Sequence, residues 1–176
     1  EFVGVRSGIM DQCASALARA GHALRLDCRD LTHEYVPIPR GVSIVVCNSM
    51  KSRGLVESAY NERRAECDAA ARRLGELLGK PVKALRDISL AEFESKAKEL
   101  AGTRARRARH VISENQRVLD AARNLCENNA AAMGALMDAS HASLRDDFEV
   151  SCAELDALVE IARAQTGCWG ARLTGA

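Results

Sequence analysis

Hydrophobic positions along this chain return mostly every third or fourth residue, the spacing of amphipathic helices. Met10, Cys13, Ala14 and Leu17 share one such face, and Gly21 is placed to stop that helix in a left-handed cap. The period then changes to two. Leu24, Leu26 and Cys28 alternate with Arg25, Asp27 and Arg29, as on a half-buried strand. Pro37 and Pro39 break the following stretch. Val42 to Cys47, short and rich in β-branched residues, predicts a buried strand, and Asn48 to Gly54 a polar turn.

From Leu55 to about Leu78, Val56, Tyr60, Arg63, Cys67, Ala70, Leu74 and Leu77 recur at helical spacing, predicting a long helix ended by Gly79-Lys80-Pro81. Ser89-Leu90-Ala91-Glu92 has the spacing of a capping box and opens a helix to about Leu100, with Gly102 beyond it. Thr103 is the expected cap of the next helix, whose Ala108, Val111, Ile112, Val118, Leu119, Ala122 and Leu125 form one face. Asn128-Asn129 punctuates, and Ala130 to about Leu144 is helical. Ser151-Cys152-Ala153-Glu154 predicts a second capping box and a helix to about Gln165. Trp169 to Ala176 predicts a strand entering a glycine loop. Two or three strands, placed early and last among helices, give an α+β class. Neither end carries a natural capping element, which predicts a fragment.

Composition narrows the function classes. Of 176 residues, 47% are hydrophobic and 28% charged, which excludes a disordered or collagen-like chain. A formal charge of +1 leaves no overall field to draw the chain to nucleic acid or an anionic membrane. No apolar run approaches the ~18 residues of a spanning helix, and the N-terminus lacks the layout of a signal peptide. The expectation is a soluble, cytoplasmic, monomeric protein with neither nucleic acid nor membrane as partner. The cysteines number seven, irregularly spaced and without C-x-x-C, so reduced thiols are expected. The four histidines form no H-x-x-x-H or Cys/His cluster, so no metal box is expected.

Several residues carry possible chemistry. Asp11 falls in the first turn of its helix, where a carboxylate gains about 0.3–1 kcal/mol from the helix dipole. That placement is common for structural reasons. The same free N–H groups also favour phosphate, so a general base beside an anion site is the functional alternative. Gly8 would let a ligand approach the backbone closely. Tyr60 lies on an apolar stripe, so core packing is the local reading and a phenol tipped out to a polar ligand the alternative. Arg104 to Arg109 is basic but lacks interleaved aromatic residues, so a solvated or ion-paired face outweighs a nucleic-acid stripe. Leu144 to Glu149 lacks a D-x-D-x-D-G pattern, so arginine–aspartate pairing across a turn outweighs calcium.

Five stretches, taken in order, resemble one family. Phe2-Val3-Gly4-Val5-Arg6-Ser7-Gly8-Ile9-Met10-Asp11-Gln12 is similar to the F-V-G-x-x-C-G-I-M-D-Q segment of galactokinases, a branch of the GHMP small-molecule kinases. Gly21 to Arg29 resembles their G-H-A-L-L-I-D-C-R strand, and Ser58 to Arg64 their S-E-Y-N-x-R-R. Ser140 to Ser151 matches a stretch associated with galactokinases. Gly170-Ala171-Arg172-Leu173-Thr174-Gly175-Ala176 looks like the start of G-x-R-M-T-G-A-G-F-G-G.

The resemblance implies transfer of the ATP γ-phosphoryl group to the anomeric hydroxyl of α-D-galactose, with Mg2+ and a two-lobed fold. Residues 1–41 would be the tail of the first lobe and 42–176 most of a ferredoxin-like second lobe. Asp11 would be the catalytic carboxylate, Gly8 a backbone sugar contact and Tyr60 the sugar-binding tyrosine. Thr174 and Gly175 would belong to a loop behind the phosphates. Ser7 stands for the usual cysteine and Leu173 for methionine, the latter a volume-conserving change. The early G-R-x-N-L-I-G-E-H-x-D-Y segment and the P-x-G-x-G-L-S-S-S phosphate loop are missing, and the family's magnesium-binding glutamate would fall just before Glu1. The isolated chain is therefore expected to be inactive. A non-enzymatic galactose/ATP sensor regulating transcription and an N-acetylgalactosamine kinase remain the alternatives.

Overall fold

The computed structural model describes residues 8–50 and 56–174, and the side chains of residues 56–60 lie outside it. Its apolar core forms where two long helices meet, α2 (Val56–Leu78) and α4 (Gly102–Cys126). Ala70 and Ala108 are fully buried in that contact, and small side chains let the helix backbones approach closely. Leu74, from α2, and Ile112, from α4, fill the space beside them. Helix α3 (Leu90–Lys96) closes one end with Phe93, and a 3-10 turn at Leu85–Asp87 adds Leu85 and then Ile88. The predicted capping box of α3 is present. Ser89 Oγ accepts the Glu92 N–H, and the Ser89 N–H donates to Glu92 Oε2 at 2.8 Å.

Helix α5 (Ala130–Asp146) packs against α4, followed by α6 (Ala153–Arg163). Asn129 caps α5 by accepting the Ala132 N–H at 3.1 Å, and Asn128 just before it turns the chain through a left-handed conformation. Before the helical body come α1 (Met10–Leu17) and an antiparallel hairpin, β1 (His22–Leu26) with β2 (His33–Pro37), paired from His22↔Pro37 to Leu26↔His33. The described residues thus form an α+β arrangement with one two-stranded sheet.

The hairpin is latched to the helical body by two crossed ion pairs. Arg86 grips Asp27 with two bonds of 2.6 Å, and Arg29 reaches Asp87 at 2.7 Å. Hydrogen bonding from Arg86, helped by the Arg29 N–H, holds the Asp27 carboxyl well below the usual carboxylate range. Asp87 is pushed down to about 2 by Arg29 and by the Ala84 N–H. Helix α1 has no buried residue, and its exit is tied to β2 by the Tyr35 hydroxyl, which donates to the Leu17 carbonyl at 2.9 Å.

Five expectations need correction. Val42 to Cys47 is neither buried nor a strand, for Ile44, Val45 and Val46 are 73%, 80% and 82% exposed. β-branched composition suits a ladder but does not supply one, and no described strand lies beside this segment. Residues 168–174 are also not a strand, for a reason given below. Thr103 does not cap α4; the helix already begins at Gly102, after an extended Ala101. Ser151 does not form a capping box either. Cys152 holds the cap position of α6, and the Ser151 hydroxyl instead donates to Asp156 Oδ1 at 2.5 Å. Helix α1 ends at Leu17 with Ala18 as its cap, and the left-handed Gly21 serves the turn into β1. Residues 51–54 of the expected polar turn lie outside the described residues.

This division between core and exposed segment predicts unequal responses to substitution. Leu74→Ala should cost about 2–5 kcal/mol in urea unfolding, the range for opening a cavity at a fully buried leucine. Val45→Ser should stay within about 0.5 kcal/mol, and a loss comparable to that of Leu74→Ala would show that the exposed segment is packed.

Candidate functional site

Two irregular segments flank α5, and each is fixed by polar side chains. The first is the turn after α5, residues 147–150. Arg107 of α4 is 1% exposed and is the largest buried side chain in the chain's described part. Its guanidinium donates to Glu66 of α2 at 2.7 Å, to Glu149 at 2.5 Å and to the Asp147 carbonyl at 2.5 Å. Burial alone would make that charge costly, but the two carboxylates outweigh it and raise the Arg107 pKa. Arg63 of α2 completes the cluster, donating to the Phe148 carbonyl at 2.8 Å and to Glu66 at 3.0 Å. Arg106 pairs with Glu149, and Arg109 with Asp147, each at 2.9 Å. Glu149 occupies a left-handed conformation (φ 56°) that these contacts overdetermine.

His110 lies one turn along α4, buried and stacked on Phe148 with ring centres 4.5 Å apart. The Ser143 hydroxyl donates to Asp147, so His110 Nδ1 carries the proton it shares with Ser143 Oγ at 3.0 Å. Burial pushes this imidazole down to about 4.

The second segment is 168–174, which lies along α5. Gly134 and Gly170 meet backbone to backbone, and a Cβ on either would penetrate the other strand of chain. Further along the same helix, Asp138 Oδ1 accepts the Ala171 N–H at 3.0 Å and His141 Nδ1 accepts the Leu173 N–H at 3.3 Å. Leu173 itself is buried. These alternating N–H groups are the ones a neighbouring strand would have used. Here α5 side chains take them, so the stretch is extended chain on a helix rather than a ladder strand. Glu114 of α4 braces the next position, accepting from Ser140 at 2.5 Å, Arg117 at 2.6 Å and Arg172 at 3.4 Å. Burial raises its pKa, yet the hydrogen bonds from Ser140 and Arg117 outweigh burial and leave it lowered.

The residues predicted from sequence fall at the following places. Asp11 is in the first turn of α1, as expected, and exposed. Gly8 precedes that helix, and beyond its chain neighbours no atom of the described residues lies within 4 Å of where a side chain would stand. Tyr60 lies on α2 one turn before Arg63, and its side chain is outside the described residues. Thr174 is exposed at the end of the α5-bound segment, and Gly175 falls outside the described residues. The basic run is ion-paired, as expected, but the complete burial of Arg107 was not legible in it. Arg145 pairs with Asp146 locally, whereas Asp147 and Glu149 turn to the arginines of α4. Glu66, Arg107, Gly134, Asp138 and His141 were not singled out. The i, i+4, i+7 spacing of the last three, which puts them on one helix face, was the available signal.

Arg107→Met keeps apolar volume but strands two carboxylates. It should destabilise the chain by about 3 kcal/mol, the low end for breaking a buried ion pair, because Glu149 remains 40% exposed. A neutral result in urea unfolding would contradict the arrangement. His110 adds a pH dependence. Its folded pKa lies below the ordinary imidazole value, so its contribution is complete above about 6.5 and is lost as pH falls toward about 4. His110→Phe should flatten the fall in melting temperature across that window, and an unchanged slope would contradict the assignment.

Known proteins share this geometry. Residues 121–176 match the family profile described as GHMP kinases C terminal. Over 175 residues, 99% of the chain, it is 50% identical to the galactokinase of Roseiflexus sp. (strain RS-1), and over 174 residues 50% identical to that of Chloroflexus aggregans. In both cases it spans 44% of the relative's length. The crystal structure of Lactococcus lactis galactokinase complexed with galactose superposes with a TM-score of 0.91 at 41% identity, covering 99% of this chain and 45% of that one. The fold is therefore that of galactokinase over the shared stretch, and residues 121–176 carry the GHMP kinase C-terminal pattern within it.

Proposed function

We propose that the protein is a galactokinase, transferring the γ-phosphoryl group of ATP to the anomeric hydroxyl of α-D-galactose. The observation that carries this reading is 50% identity to galactokinases sustained over 99% of the chain, with the G-I-M-D-Q stretch undisturbed. Residues 1–41 are assigned to the tail of the first lobe and 42–176 to most of the second.

Asp11 is assigned the sugar hydroxyl. Phosphoryl transfer passes through a loose transition state and needs little proton removal early. Holding and polarising the hydroxyl is then the larger part of its task, and accepting the proton as the O–P bond forms is the rest. The first turn of α1 suits this, because its free N–H groups favour negative charge nearby. Gly8 is assigned a backbone contact to the sugar, and no described residue crowds it. Tyr60 is assigned a hydrogen bond to galactose, and Arg63, one turn later, fixes that helix to the 147–150 turn. Thr174 and Gly175 are assigned to the loop behind the phosphates.

Among the described residues no group of three or more His, Cys, Asp or Glu is arranged to hold a metal ion. Magnesium ligands and the ATP cradle are assigned to the part of galactokinases that the match does not cover.

The test is phosphorylation by the whole gene product, with galactose and N-acetylgalactosamine as competing acceptors. Galactose phosphorylation supports the reading. Preference for the acetylated sugar, or galactose binding without transfer, replaces it with the corresponding alternative. Asp11→Asn should lower turnover about 10²–10⁴-fold while galactose binding survives. Tyr60→Phe should raise the galactose requirement about 2–10-fold, as loss of one neutral hydrogen bond does. A fall in melting temperature with unchanged kinetics would instead return Tyr60 to the core.

A further inference from the structure

The buried face of α5 carries a histidine that no part of the proposed reaction uses. His141 is 3% exposed. Its Nδ1 accepts the Leu173 N–H at 3.3 Å, and its Nε2 lies 3.3 Å from Asp156 Oδ1 on α6. An Nδ1 that accepts has no proton, so the proton sits on Nε2 and points to Asp156. Ser151 donates to the same Asp156 oxygen at 2.5 Å and fixes the carboxylate. One turn back, Asp138 divides its oxygens between the Ala171 N–H and Arg163 of α6, at 3.0 and 3.2 Å. The imidazole thus joins α5, α6 and the extended segment that runs into Thr174.

We propose that His141 is a positioning residue for phosphoryl transfer, clamping residues 171–173 through a neutral imidazole and so fixing the backbone that leads into Thr174. This rests on the galactokinase reading for its consequence in catalysis, and on the hydrogen bonds alone for the clamp. The chemistry makes the clamp conditional on protonation state. A second proton on the ring would occupy Nδ1 and turn the acceptor of the Leu173 N–H into a donor facing a donor. The charged groups around the ring are Asp156 and Arg163 from α6 and Asp138, Arg145 and Asp146 from α5 itself. Burial is the largest influence and lowers the ring's pKa, Arg145 and Arg163 act in the same direction, and Asp156 and Asp138 oppose them. The clamp is therefore complete above the ordinary imidazole range and is released as pH falls below it.

The chain contains a single tryptophan, Trp169, half-exposed at the start of the clamped segment, whose backbone lies against Gly134. Its fluorescence reads the clamp in the 176-residue chain without any assay of catalysis. The expected result is an emission change on acidification below pH 6.5 that is absent from His141→Ala, which should show the released signal at every pH. His141→Asn, whose amide oxygen takes the place of Nδ1, should show the docked signal at every pH. Asp156→Asn should move the midpoint to lower pH, because it removes a charge that favours the imidazolium. In the whole gene product, His141→Ala should lower kcat about tenfold or more at pH 7.5 with the galactose KM unchanged, and His141→Asn should restore it. Equal Trp169 profiles for wild type and His141→Ala would overturn the clamp. A normal clamp with unchanged kcat would overturn its role in transfer. A wild-type product that phosphorylates no galactose would overturn the galactokinase reading and the catalytic role together, leaving the clamp to be judged by fluorescence.

Discussion

A polar group removed from water must be bonded to a partner, and in this chain that constraint decides where the irregular segments lie. The guanidinium of Arg107 has almost no access to solvent and can be accommodated only if Glu66, Glu149 and the Asp147 carbonyl surround it. Satisfying it pulls the turn after α5 onto α2 and α4. The same rule, applied to the N–H groups of Ala171 and Leu173, ties the last described segment to Asp138 and His141. Neither segment has regular secondary structure, and both are nevertheless held in place.

The chain therefore has two kinds of cohesion. Around Leu74, Phe93 and Ile112 it is apolar, non-directional and tolerant of volume-conserving exchange. Around α5 it is directional, and small residues rather than large ones make it possible. Gly134 and Gly170 bring two backbones into contact, which then sets the distance at which Asp138 and His141 can reach the chain. Directional contacts fix geometry to a fraction of an ångström, whereas apolar contacts mainly supply stability.

Much of this was readable in the sequence, and the exceptions share a cause. The helices from Val56, Leu90 and Ala130 and the capping box at Ser89 followed from periodicity and local chemistry, and the alternation from Leu24 to Arg29 marked a strand that begins at His22 and ends at Leu26. Val42 to Cys47 and Trp169 to Thr174 did not, because a strand is a property of a pair and composition describes only one member. Arg107 looked like one arginine among several on a solvated face. Its burial depends on Glu66 and Glu149, residues about forty positions away in either direction. Asp11 was placed in its helical turn by local pattern, while the role proposed for it came from the resemblance of G-I-M-D-Q to galactokinases. The roles of α5 could not be seen from α5 alone, since Gly134, Asp138 and His141 acquire meaning only once the terminal segment is laid across them.

The account's central claim is that polar anchors on α5 hold an otherwise irregular segment rigidly. Residue-resolved amide hydrogen exchange on the 176-residue chain at neutral pH tests it most directly. The Ala171 and Leu173 amides should exchange as slowly as those in the middle of α5, while the Thr174 amide exchanges faster. Ala171 and Leu173 exchanging at the rate of the exposed stretch around Val45 would contradict it.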